Sequence, residues 1–184
     1  MKVSRDQLYD NLCQNLQDFK SEVGHPYHKL MDYMLSIYGI DKNYIEIACG
    51  ELPCVAAYVS DMTGKKVMAV DPNLMITDYP GVEGYKTRFD ESFDIKTSDV
   101  IYSIGPVEAG LAIAKTANKL QKSAFIMLGQ TYFYYGNVNS LSVSLSREFE
   151  RSLPEDFIYN REKVPFGKEM FGELFFTSPK KIKL

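Results

Sequence analysis

Three cysteines, Cys13, Cys49 and Cys54, are all that this 184-residue chain carries, an odd number with no Cys-x-x-Cys pair among them. That count excludes a disulfide framework and leads us to expect a reducing, cytoplasmic compartment. Histidine is scarcer still, with only His25 and His28. So few ligands, at no recognisable spacing, predict no zinc site and no other metal centre. No apolar run is long enough to span a bilayer, and residues 1–20 are polar and mixed in charge, unlike a signal peptide. Excess positive charge is also missing. A net charge of −3 gives the chain no general attraction to nucleic acid or to an anionic membrane. The one basic cluster, Lys180, Lys181 and Lys183, reads as a solvated tail.

What is present suits one globular unit. A hydrophobic share of 45% is enough for a continuous core at this length, and no repeat, low-complexity run or linker divides the chain, so a single domain over 1–184 is expected. Residues 1–40 read as a helical cap. Leu8, Leu12, Leu16 and Phe19 mark one helix over 4–23, and Leu30, Met31, Met34, Leu35 and Tyr38 mark a second after Pro26, closed by Gly39. Residues 44–128 form the core. Strands are expected at Tyr44–Ala48, Lys66–Val70, Glu83–Phe89, Asp99–Ile104 and Ser123–Leu128, with helices at Pro53–Met62 and Val107–Leu120. This βαβ rhythm implies a mostly parallel sheet. Over 129–184 a helix at Leu141–Leu153 is expected, followed by an antiparallel hairpin of Phe157–Tyr159 and Glu173–Thr177. The fold class is therefore α/β, a Rossmann-like, mostly parallel sheet with an antiparallel C-terminal hairpin, preceded by two helices.

A full Gly-x-Gly-x-x-Gly loop is absent, which counts against a dinucleotide with its pyrophosphate. The first strand leads instead into Ala48-Cys49-Gly50-Glu51-Leu52-Pro53, and the second strand ends in Val70-Asp71. Open parallel sheets bind ligands at the carboxyl ends of their strands, where an acid after the second strand accepts hydrogen bonds from ribose hydroxyls. The segment from Tyr44 through Asp71 resembles motif I and its downstream acid in S-adenosylmethionine-dependent methyltransferases. Gly50-Glu51-Leu52-Pro53-Cys54-Val55-Ala56 and the stretch from Ser98 to Glu108 are similar to segments of small archaeal methyltransferase-like proteins. Gly50-x-Leu52-Pro53 also resembles nicotianamine synthases, which transfer an aminobutyrate group from the same cofactor.

The resemblance implies a methyltransferase-type sheet that binds S-adenosyl-L-methionine and transfers a group, most simply methyl, to a small molecule. It places Glu46, Ala48, Gly50, Asp71, Pro72, Asp90 and Ser103 at the cofactor. Glu46 is expected to accept from the cofactor's amino group or to tether the glycine loop. Asp71 is read as the ribose acceptor, or else as a cap on the Pro72 turn. Asp90, Glu91 and Asp94 compete for the adenine amino group. No catalytic residue is singled out. Glu108 is a base or merely a first-turn acid, His28 an acid–base group or a surface residue, and Tyr132, in the run Thr131 to Tyr135, a wall of the acceptor pocket or packing. The aromatic run and the N-terminal helices serve equally well as a homodimer surface. The rival readings are aminobutyrate transfer and a noncatalytic Rossmann-like or oligomeric binding module.

Overall fold

Leu30, Met31, Met34, Leu35 and Tyr38 recur at helical intervals, and in the computed structural model they form the buried side of α1 (Pro26–Tyr38). The structure describes residues 7, 10, 14, 26–106, 109–132, 140–165 and 170–177; 26, 129–132, 140–145, 165, 170 and 171 are described by backbone alone. Gln7, Asp10 and Gln14 are helical, and the rest of the expected helix over 4–23 lies outside the described residues. Beyond α1 run β1 (Tyr44–Ile47), α2 (Cys54–Thr63), β2 (Val67–Val70), β3 (Val82–Tyr85) and β4 (Val100–Ile104). They are followed by α3 (Gly110–Lys119), β5 (Ser123–Tyr132), α4 (Ser140–Ser152), β6 (Asn160–Pro165) and β7 (Met170–Phe176). No helix among the described residues is long and apolar enough to cross a membrane.

The seven strands form one sheet in the order β3-β2-β1-β4-β5-β7-β6. Every pairing from β3 to β5 is parallel, and β7 runs antiparallel to both β5 and β6. The expected C-terminal hairpin is present, but its second strand is wedged between β5 and the first, so β6 points the same way as β5. Both sheet faces are covered, which is why the central strands read as unbroken apolar runs. Tyr44, Tyr102, Phe125 and Phe176 meet α1 and α2 on one face. Ile45, Ile101, Ile126 and Phe175 meet Ile113 and Ala117 of α3 and Phe149 of α4 on the other.

Four expectations need correction. The strand expected at Ser123–Leu128 continues to Tyr132, through a register shift between Leu128 and Thr131, because β7 supplies ladder partners as far as Met170. Thr131 and Tyr132 therefore belong to the strand and do not follow it. The segment Phe157–Tyr159 is not a strand: Phe157 is buried, Ile158 is 85% exposed, and pairing begins only at Asn160. The true strand is polar because it is the sheet's edge, where charged side chains such as Arg161, Glu162 and Lys163 stay solvated. The helix expected from Val107 begins at Gly110, and the weak third strand is confined to Val82–Tyr85.

Candidate functional site

From β1 the chain passes to β2 and β3 on one side, and from β4 to β5 on the other, so the topology switches between β1 and β4. At such a switch point the two loops diverge, and open parallel sheets bind ligands at the carboxyl ends of their strands there. The exit from β1 is held on both flanks. The Ala48 amide donates to Val70 O at 2.8 Å, and Ser103 Oγ of β4 donates to Ile47 O. Between those anchors Ala48 sits at φ 61°, a left-handed conformation at the position where the resembled family carries a small loop residue. Gly50 comes next at φ 78°, and Gly105, just past β4, at φ 74°; a Cβ on either would meet nothing within 4 Å. Glycine is favoured at both places by the backbone rather than by crowding, and both positions face open space.

Asp71 is the organising acid. It is buried, and its Oδ2 accepts the Gly50 amide at 3.0 Å while Oδ1 accepts the Asn73 amide at 2.7 Å. One carboxylate thus tethers the glycine loop and caps the turn that starts at Pro72, which is itself exposed. The loop tether was expected of Glu46 as one alternative. A second strap runs from the Met75 amide to Glu51 O at 2.9 Å.

Glu46 lies on the α1/α2 face of β1 and is 3% exposed. Its Oε2 has no hydrogen-bond partner among the described residues, nor has the Tyr102 hydroxyl on the adjacent strand. Although the two groups influence each other's ionisation, no hydrogen bond of normal geometry closes between them. Burial, with some help from the nearby Asp71 charge, pushes the Glu46 carboxyl up to about 8, against the opposing pull of the Ala56 amide. The neighbouring thiols are also held protonated. Burial raises Cys49 far above the usual thiol range and Cys54 to about 11, so neither is a thiolate nucleophile near neutral pH.

The remaining predicted residues are dispersed. Ser103 is fully buried and its hydroxyl is spent on Ile47 O, so it belongs to the strand junction. Asp90 is exposed and accepts both the amide and the hydroxyl of Ser92, which keeps its carboxyl below the ordinary range. His28 stacks on Tyr58 of α2 with ring centroids 4.6 Å apart, and Tyr58 donates to Asp32 at 3.0 Å. Glu108 lies outside the described residues, and Tyr132 is described by backbone alone. Sequence reasoning missed an aromatic group at the carboxyl end of β3, where Phe93 meets Tyr85 at 5.3 Å and Phe89 at 5.9 Å. The four-residue spacing of Tyr85, Phe89 and Phe93 was the available signal.

No family model matches the sequence, and no curated protein matches it. Solved structures do. The chain superimposes on the methyltransferase domain of METTL16 with a TM-score of 0.58 at 10% identity, covering 96% of this chain and 99% of that one. Geranyl diphosphate C-methyltransferase from Streptomyces coelicolor, in complex with S-adenosyl-L-homocysteine, superimposes at 0.57 and 12% identity, covering 98% and 86%. A variant of MtNAS, a nicotianamine synthase, in complex with S-adenosylmethionine gives 0.54 and 14%, covering 95% and 73%. The fold is that of the S-adenosylmethionine-dependent methyltransferases, in keeping with the sheet order.

Proposed function

We propose that the chain binds S-adenosyl-L-methionine in the crevice between the β1 and β4 loops and transfers its methyl group to a small molecule. The observation that carries this reading is the pairing of Gly50 and Asp71, a loop glycine facing open space beside a buried acid, at the switch point of a methyltransferase-type sheet. The residues suit the cofactor. Each Asp71 oxygen has a lone pair beyond the one it gives to a backbone amide, so the carboxylate can still receive ribose hydroxyls. Glu46 Oε2 offers a buried acceptor with no partner among the described residues, and Tyr85, Phe89 and Phe93 offer an apolar wall. The absence of a phosphate-cradling loop matters little for a ligand without phosphate. When bound, the cofactor supplies an electrophilic methyl group on its sulfonium; the chain's part is to orient both reactants and exclude water.

For the acceptor side we propose α1, with Tyr27, His28 and Tyr33; the aromatic run expected there continues from Tyr132 into residues 133–135, which lie outside the described residues. The packing of α1 on α2, immediately beyond the glycine loop, supports that wall. Titration calorimetry tests the reading: heat is expected with S-adenosylmethionine and S-adenosylhomocysteine and none with NAD. Silence from both adenosyl ligands sinks it, and binding without turnover on any acceptor leaves the noncatalytic module. Transfer of aminobutyrate is a second reading, favoured by the Gly50-x-Leu52-Pro53 element and the likeness to the nicotianamine synthase fold. The coproduct separates the two, since methyl transfer yields S-adenosylhomocysteine and aminobutyrate transfer yields methylthioadenosine.

A further inference from the structure

We propose that the site exchanges a proton for its ligand: Glu46 is a neutral acid in the ligand-free protein and ionises when the ammonium of the cofactor's amino-acid end reaches Oε2. This exchange rests on the cofactor reading and concerns how binding at that site is regulated.

Glu46 is almost wholly buried, and among the described residues neither its Oε2 nor Tyr102 Oη beside it has a hydrogen-bond partner. Among the described residues no salt bridge reaches it. The groups that face it are Tyr102 from β4, Asp71 from the segment after β2, Cys49 from the loop, and Cys54 with the Ala56 amide from α2. β2 itself carries no ionisable side chain, and α1 brings His28 and Asp32 to Tyr58. Among the described residues no lysine, arginine or histidine faces Glu46, whereas the Asp71 carboxylate does. A bare carboxylate there would be buried with an unmatched oxygen next to a like charge, which favours the protonated form. The raised pKa agrees with that geometry.

The cofactor's chemistry completes the exchange. Its sulfonium has no N–H or O–H to donate, whereas its α-ammonium has three donors and a full charge. As that ammonium forms an N–H···O bond to Oε2, the O–H bond of Glu46 breaks and its proton passes to solvent. One positive charge enters and one leaves.

Calorimetric titration of the wild-type chain with S-adenosylhomocysteine, in buffers of differing ionisation heat, counts the protons released. About one proton per ligand is expected near neutral pH, with the dissociation constant falling about tenfold per pH unit and levelling off above about pH 8. Methylthioadenosine, which lacks the amino-acid end, should bind with no pH slope and no release. Glu46→Gln should abolish the slope for S-adenosylhomocysteine. Should that variant not fold, the wild-type infrared band of a protonated carboxyl must disappear on adding S-adenosylhomocysteine. Binding without proton release, a persistent acid band or a slope surviving in Glu46→Gln overturns the inference while leaving the cofactor reading standing. Failure of every adenosyl ligand to bind at any pH overturns both.

Discussion

At the scale of single residues, two side chains sit where ordinary preference would not put them. Ala48 holds a left-handed backbone without being glycine, and such a conformation costs an L-residue roughly 1–2 kcal/mol. Glycine would relieve that strain while losing more chain entropy on folding, so Ala48→Gly is expected to gain about 0.5–1 kcal/mol. Urea denaturation measures it, and a net loss would mean that the alanine methyl is held by packing. Glu46 makes the second case. Its carboxyl titrates near 8 when folded and near 4.5 when free, so between those values the native state keeps a proton that the unfolded chain has lost. Stability from this group is therefore present at low pH and lost as pH rises through that window, by up to about 1.4 kcal/mol per unit. Thermal melts from about pH 5 to about pH 8 should show the decline in wild type and a flatter profile in Glu46→Gln, with the variant the more stable at the upper end. The acid at position 46 was legible from the motif. Its protonation was not, because that depends on burial by elements distant in the chain and on Asp71, which arrives from beyond β2.

At the scale of elements, the structure is joined by a few side chains that bridge segments. Asp71 binds the β1 loop to the turn after β2 through two backbone amides. Asp71→Ala leaves both unmatched, so we expect a loss of stability of about 1–3 kcal/mol, and a loss of S-adenosylhomocysteine affinity of about 1.5–3 kcal/mol. Both are measurable on the same variant by melting and calorimetry; unchanged affinity in the folded protein would make Asp71 purely structural. Arg161 joins three elements, giving Nε to Glu173 of β7 and a guanidinium N–H to Glu150 of α4 while stacking over Phe175. The group is about a third exposed, so Arg161→Lys should cost only about 1 kcal/mol, with the difference shrinking in high salt. Core elements were legible because both sheet faces are apolar. The edge was not: β6 buries little, so its sequence lacks the apolar signal that Phe157, Ile158 and Tyr159 falsely supply nearby.

At the scale of the whole molecule, a fold shared at 10–14% identity with METTL16, the geranyl diphosphate C-methyltransferase and MtNAS means that pattern survives where residue identity does not. The parallel core was visible in the sequence as alternating strand and helix signals, whereas the insertion of β7 was invisible because strand order is written in no local run. If the cofactor reading holds, S-adenosylhomocysteine at 100 times its dissociation constant should raise stability by about 2.7 kcal/mol, with NAD giving no shift in the same melting assay. The place of β7 also bears on synthesis. Strands β1 to β5 can pair as the chain leaves the ribosome, yet β6 emerges with no neighbour to join, because its sole strand partner among the described residues is β7, which is translated later. Until β7 arrives, β5 presents an open ladder of unpaired backbone, so a nascent chain stalled after Pro165 should need chaperone shielding that the full-length protein does not.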